Sequence, residues 1–221
     1  MRFVNRSHAG RKLARLLGHL RKEPCVVLGL PRGGVPVGFE VAKALGAPLE
    51  VLLVRKLGVP FQPELAMGAI GEGGVRILDT GRVRRLGVSA AQVEHVERAE
   101  REEMARQAEL FRRGRPAADL DGRTAVIVDD GIATGSTALA ACPIARRLGA
   151  ARIVMAAPVA PRDAPGLFAD AADEFVAAST PRRFAAIGLF YADFRATPDQ
   201  EVIELLDEAR EWTSGDRAQG A

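Results

Sequence analysis

The sequence predicts an α/β fold, a parallel, twisted sheet with helices on both faces. Short runs such as "CVVLGL" (25–30) and "RIVMAAPV" (152–159) are apolar at successive positions, as strands covered on both faces must be. These runs alternate with amphipathic helical patterns, the signature of a layered α/β sheet. With 221 residues, 48% of them hydrophobic and 27% charged, the chain can bury the core of one ordinary domain.

Taken in order, residues 7–23 carry Leu13, Leu16, Leu17 and Leu20 at the spacing of one helix face, with Ser7 placed as the N-cap. The strand 25–30 runs into a Gly-Pro turn and a helix from Val35 to Leu45, which Gly46 stops. "LEVLLVRKL" (49–57) reads as a second strand. Residues 58–74, rich in Gly, Pro and Glu, read as a long loop, with a hairpin into "VRIL" (75–78) as a further option, and such loops in compact domains are usually functional or mobile. Residues 89–113 form an extra, charged helix whose apolar stripe (Val93, Val96, Met104, Ala108, Phe111) is thin, suiting a surface helix or a subunit contact. A strand (123–128), a helix (136–148, with Pro143 inside it), the strand 152–159, a short helix (163–170) and a strand (174–179) follow. In the closing helix Thr197 is the cap, Pro198 the first residue and Gln200 the capping-box partner. "TSGDRAQGA" (213–221) reads as a disordered tail.

Composition removes several function classes. No run of 18 apolar residues exists to span a membrane, and "MRFVNRSHAGRK" has no apolar core of a secretory signal, so a cytoplasmic protein is expected. Cys25 and Cys142 lack metal-ligand spacing and read as free thiols. The net charge is +3, and only four of the 31 basic residues are lysine (Lys12, Lys22, Lys43, Lys56). Arginine is interspersed with glutamate rather than gathered into the basic stripe that nucleic acid requires. His8, His19 and His95 fall on helical patterns and read as surface residues.

The chemistry concentrates in "VIVDDGIATGSTALAA" (126–141). Asp129 and Asp130 stand at the carboxyl end of a buried strand, where parallel sheets bind ligands. Neighbouring strand residues face opposite ways, so both acids reach one rim only where the chain turns. Carboxylates only accept hydrogen bonds, which makes ligand hydroxyls or a hydrated cation their natural partners. Behind them "GIATGST" offers backbone N–H groups at a helix N-terminus and the hydroxyls of Thr134, Ser136 and Thr137, a phosphate cradle. A sugar bearing hydroxyls beside a phosphate matches both halves. Neither a P-loop nor a dinucleotide fingerprint is present. The alternative, that the acids only cap the next helix, would suit a lone Asp better than this whole string.

"VIVDDGIATGST" resembles the 5-phosphoribosyl 1-diphosphate (PRPP) signature of type I phosphoribosyltransferases. "GLPRGGVPVG" (29–38) is similar to that family's first diphosphate-binding loop, and "VRK" (54–56) to the basic pair ending its next strand. "KLGVPFQPELAMGAIGEGG" (56–74) lies where the family has its flexible catalytic loop, and "FYADF" (190–194) where a C-terminal hood contacts the base. The resemblance covers about residues 5–212 and is strongest to bacterial members of undefined substrate. It implies a single domain over 1–212, with a flexible loop at 57–74 and a small hood from the N- and C-terminal segments. It also implies a homodimer and an Mg²⁺-dependent enzyme of nucleotide metabolism. That enzyme would move 5-phosphoribosyl from PRPP to a nitrogenous, nucleobase-like acceptor and release diphosphate.

By the same resemblance, Asp129 and Asp130 take the ribose 2- and 3-hydroxyls and meet Mg²⁺ mainly through PRPP and water. Gly131, Ile132, Ala133, Thr134, Gly135, Ser136 and Thr137 hold the 5-phosphate. Leu30, Pro31, Arg32 and Gly33, with Arg55 and Lys56, hold the diphosphate, and Arg32 and Lys56 join the acid pair as catalytic residues. The family's loop often contains a cis peptide, and Pro31 makes the Leu30–Pro31 bond the least costly place for one. Tyr191, Asp193 and Phe194 are candidate acceptor contacts, with core packing of the two aromatics an equal alternative. Glu64 and Glu72 are either functional or solvated. Ala133 stands where the 6-oxopurine enzymes carry an acid. A second reading is a PRPP-sensing protein that keeps the fold without turnover. The retained "GLPRGG", "VRK" and long loop favour the enzyme.

Overall fold

The computed structural model describes residues 2–218. Its elements are α1 (Arg6–Leu16), β1 (Cys25–Gly29), α2 (Gly34–Leu45), β2 (Leu49–Val51), β3 (Val54–Val59), β4 (Gln62–Gly71), β5 (Arg76–Leu78), α3 (Thr80–Arg85), α4 (Ala90–Arg112), β6 (Thr124–Val128), α5 (Ser136–Arg147), β7 (Arg152–Val159), α6 (Ala164–Phe168), β8 (Glu174–Ser179) and α7 (Asp199–Ala218).

Five strands form a parallel sheet in the order β2-β1-β6-β7-β8. β6 lies at its centre and every one of its residues is buried. Alternation along it feeds two cores. Val126 and Val128 join Val27, Val154 and Ala156 against Leu13 of α1, Leu17 just after it, Val41 of α2 and Leu206 of α7. Ala125 and Ile127 join Val26, Leu28, Ile153 and Met155 against Ala141 and Ile144 of α5 and Phe168 of α6. The two-sided apolar runs thus do what the sequence predicts, with helices on both faces. Phe3 and Tyr191 pair in a bridge and belong to a third, small cluster, which ties the N-terminal segment to residues 190–193.

The largest departure lies at 49–74. "LEVLLVRKL" is not one strand. It divides after Val51, β2 staying in the parallel sheet while β3 joins β4 and β5 in a separate antiparallel sheet. The segment read as a long loop is mostly strand, with the ten-residue β4 paired to β3 before it and to β5 after it, so the hairpin into "VRIL" is present. Its glycines, which mimic loop composition, serve close strand approach. A Cβ on Gly58 would meet Pro63 O at 2.5 Å and one on Gly68 would meet Ile77 O at 2.4 Å.

Smaller corrections concern helix ends. Asn5, not Ser7, caps α1, its Oδ1 accepting from the His8 N–H at 2.9 Å. α3, capped by Asp79, is an addition to the expected elements. The Gln200 amide, expected to close a capping box, donates to Glu204 at 2.8 Å. Helix α4 is more than a surface helix, since Val93, Met104 and Phe111 are buried in the core shared with the hairpin. The expected tail 213–221 overlaps the end of α7, and 219–221 lie outside the described residues. Among the described residues no helix is long and apolar enough to cross a membrane.

Candidate functional site

Beyond β6 the chain leaves the sheet without losing its anchorage. The Asp129 N–H donates to Ala156 O at 3.3 Å and the Ile132 N–H to Val159 O at 2.8 Å. Gly131 lies so close to Ile187 that an added Cβ would meet its Cγ2 at 2.5 Å. Gly135, at φ +72, takes the left-handed conformation that starts α5. Thr134, Ser136 and Thr137 are polar groups of this turn, and the first two hydroxyls bond each other at 3.1 Å. The result is a cradle of about 170 Å³ at the N-terminus of a twelve-residue helix, walled by Asp129, residues 131–138 and Ile187. All seven turn residues proposed for a phosphate, Gly131 to Thr137, line it.

The acid pair is split. Asp129 lines the cradle, and its Oδ1 accepts from the Asp130 N–H at 2.9 Å. Asp130 is absent from the cradle wall and turns toward Arg6, whose Nε and Nη2 each lie 2.8 Å from Asp130 Oδ2. Arg6 also donates through Nη1 to Arg195 O at 2.6 Å and stacks on Phe194, 4.2 Å from the ring centroid. Burial raises the Asp129 carboxyl to about 7, the Asp130 charge adding to the rise while the Asp130 N–H and Arg6 oppose it. Burial raises Asp130 too, against the pull of Arg6. No local pattern in the sequence announces Arg6, because its partner is 124 residues away.

The loop 30–34, expected to hold a diphosphate, lies directly beneath. The Leu30 N–H donates to Val128 O at 2.9 Å, and a Cβ on Gly34 would lie 2.3 Å from the same oxygen. The cis peptide falls at Pro31–Arg32, one bond later than the bond that proline makes least costly. Arg32 is half-exposed and sits 3.5 Å from Asp199 Oδ1.

The remaining cations lie on the second sheet. Arg55 bonds Glu100 of α4 at 2.7 Å. Lys56 lies 3.5 Å from Glu64, and it shares with Ser136 and Thr137 a mainly apolar cavity of about 280 Å³. The structure therefore brings Gly33 to the acid pair, leaves Arg32 facing Asp199, places Lys56 and the cradle hydroxyls on one cavity, and holds Arg55 against α4.

For the two aromatic acceptor candidates the structure shows the packing alternative. Tyr191 is a core residue, 2% exposed, packed on Phe3 and Phe194, and its hydroxyl donates to the Asp130 backbone O at 2.6 Å. Burial, then the Asp130 charge, pushes its phenol well above the ordinary range. Phe194 is covered by the Arg6 guanidinium. Asp193 is held at about 2 by hydrogen bonds from the Arg195 side chain and backbone. It lines a polar cavity of about 470 Å³ together with Arg6, Ser7, Pro36, Arg195 and Thr197. Glu72 is structural, bonded to buried Arg112, whereas Glu64 is fully exposed on the hairpin.

Among the described residues no three acidic, histidine or cysteine side chains cluster as a metal site. Asp129 is one carboxylate open to the cradle, a donor set that suits Mg²⁺ arriving on ligand phosphates with its water shell.

A model of the phosphoribosyl transferase domain matches residues 5–167. Two proteins of Mycobacterium tuberculosis, from strains CDC 1551 and H37Rv and each named "Putative phosphoribosyl transferase", are 57% identical over 207 residues, 94% of this chain and 47% of theirs. The chain thus spans about half the length of these curated relatives. The crystal structure of the protein TT1426 from Thermus thermophilus is 45% identical, with a TM-score of 0.84 over 94% of this chain and 99% of that one.

Proposed function

Because the chain belongs to the phosphoribosyl transferase domain family, we propose that it is an Mg²⁺-dependent phosphoribosyltransferase. It would move 5-phosphoribosyl from PRPP to a nitrogenous, nucleobase-like acceptor and release diphosphate. The observation that carries this reading is the cradle at the start of α5 with a half-buried carboxylate at its rim. Its backbone N–H groups and three hydroxyls suit a 5-phosphate, and Asp129 suits the hydroxyls of the attached sugar. As the C1–oxygen bond to diphosphate breaks, the ribose becomes oxocarbenium-like and an acceptor nitrogen closes on C1. Mg²⁺ bound to the diphosphate would neutralise charge on the leaving group. Arg32, only loosely paired with Asp199, is the protein cation placed on the diphosphate loop to follow that charge.

Calorimetric titration with PRPP and Mg²⁺, followed by diphosphate release with a panel of nucleobases, tests the proposal. Binding followed by release with one base supports it, and absence of PRPP binding overturns it. One observation favours PRPP binding without turnover. Arg32, Arg55 and Lys56 each already face a carboxylate, from Asp199, Glu100 and Glu64. Tight PRPP binding with no release from any base would select that second reading.

A further inference from the structure

We propose that the cavity between the antiparallel sheet and α5 binds a small monoanion with an apolar body, and that its occupant weakens ligand binding in the neighbouring cradle. The first half stands on the cavity itself. The second rests on the proposed function.

The cavity measures about 280 Å³ and lies where β3, β4 and β5 face the first two turns of α5. An apolar cavity of about 150 Å³ already takes a benzene ring, so this one has room for a ring and a substituent. Val54 of β3, Ala66 of β4, Ile77 of β5 and Leu139, Ala140 and Pro143 of α5 supply its apolar wall. All six are left half-buried, whereas the apolar residues of β1, β6 and β7 are fully covered. A ligand of like character takes their surface out of water.

Charge decides the rest of the ligand. Lys56, Asp79 and Arg82 are the ionised side chains of the lining. Asp79 and Arg82 are engaged with each other and with backbone. Asp79 Oδ2 lies 3.4 Å from Arg82 Nε, Asp79 Oδ1 accepts from the Arg82 N–H at 2.8 Å, and Arg82 Nη1 donates to Ala66 O. Lys56 is held loosely. Its Nζ stands 3.5 Å from both the carboxylate and the backbone O of Glu64, whose side chain is fully exposed. Such a pair is worth little, so the ammonium can turn to an anion in the cavity at small cost. The lining thus carries one positive charge in excess, and a single carboxylate matches it.

Ser136 and Thr137 line this cavity and the cradle alike. A carboxylate held by Lys56 therefore brings negative charge close to the cradle, and a hydroxyl turned toward one ligand is lost to the other. Both effects set two anions against each other. Coupling of this kind is reciprocal, so a filled cradle must weaken the cavity's ligand by the same factor.

Benzoate is the probe, with benzamide as its uncharged match, titrated into the full chain while the methyl resonances of Val54, Ile77 and Leu139 are followed. Expected are saturable shifts of these methyls with benzoate and binding of benzamide about tenfold weaker. Lys56→Gln should bring benzoate down to the level of benzamide and leave benzamide unchanged. Ala140→Phe, which fills the cavity, should abolish both, and if that variant does not fold Lys56→Gln still decides. With saturating benzoate, PRPP and Mg²⁺ should bind about fivefold more weakly, an effect absent in Ala140→Phe. No saturable shift of the three methyls, or equal affinity for benzoate and benzamide, overturns the site. Shifts centred on residues 131–137 and reversed by inorganic phosphate place the anion in the cradle and overturn it as well. PRPP affinity unmoved by benzoate overturns the coupling. A wild type that binds no PRPP sinks the proposed function, while the benzoate titration still decides the cavity.

Discussion

Arg112, in the last turn of α4, donates through Nη2 to Glu72 Oε2 at 2.9 Å. The same side chain donates to Val51 O at 3.1 Å and lies 3.3 Å from Glu50, so one guanidinium joins the charged helix, the hairpin sheet and the edge strand of the parallel sheet. Arg112 and Glu50 are almost wholly buried. Removing the cation leaves two buried carboxylates facing each other. Arg112→Ala should therefore destabilise the fold by about 3–5 kcal/mol. Urea unfolding measures it, and a loss under about 1 kcal/mol would mean that solvent reaches this cluster as it reaches a surface pair.

Asp129 should be an acid the protein keeps at a cost to stability. Burial, then the charge of Asp130, raises its carboxyl from 3.8 to about 7. The native state therefore holds the proton more tightly than the unfolded chain, and stability falls as pH rises between those values. Asp129→Asn removes that titration while its side-chain oxygen can still accept from the Asp130 N–H. The variant should match the wild type near pH 4, gain on it up to about pH 7, and stay ahead above that by an amount on the order of 2 kcal/mol. It should bind PRPP less well throughout. Thermal melts at pH 4, 6 and 8 check the sign, and a variant less stable at pH 8 would place Asp129 among structural acids.

How far the sequence reveals this site depends on how local each feature is. The strand–turn–helix from Val126 to Ala141 is fully readable, because an apolar run, two acids and a glycine-bearing hydroxyl turn are contiguous. The antiparallel sheet is readable only as far as a hairpin into β5, since Gly58 and Gly68, needed for close strand approach, carry the composition of a loop. Tyr191 is readable only as an alternative, because an aromatic beside an acid looks alike as ligand platform and as core. Arg6 is invisible. A contact 124 residues long leaves no periodic trace, and Arg6 sits at the start of a helix whose pattern is set by its leucines.

Arg32 should act on turnover more than on binding. Its pairing with Asp199 is loose, 3.5 Å between half-exposed groups, and such pairs are worth little, so Arg32 can leave it for a ligand at small cost. Charge on departing diphosphate peaks in the transition state. Arg32→Ala should lower kcat about a hundredfold and raise the KM for PRPP only a few-fold. The reverse pattern, a raised KM with kcat intact, would make Arg32 a uniform binding group and remove it from the chemistry.

Position 133 should decide which bases are poor acceptors. Ala133 is exposed on the cradle wall, beside the hydroxyls of Thr134 and Ser136, and can neither take nor give a proton. An acceptor that must shed a ring proton needs another base. Asp193 cannot supply one near neutrality, because the Arg195 hydrogen bonds hold it at about 2 and keep it ionised with little basicity. Glu64 is fully exposed on the hairpin, next to Lys56. Tyr191 is buried and donates its own proton to Asp130 O. General-base help is typically worth about 10²–10⁴-fold, so its absence should be visible. Hypoxanthine and guanine should therefore turn over well below about 1 s⁻¹ under conditions where PRPP is saturating. Placing a carboxylate at the position, Ala133→Asp, should raise that rate if the cradle wall faces C1 of the ribose. Diphosphate release with each base, at saturating PRPP and Mg²⁺, measures both. Ordinary enzymatic rates on hypoxanthine with the native alanine would show that the proton leaves by a route that does not involve position 133.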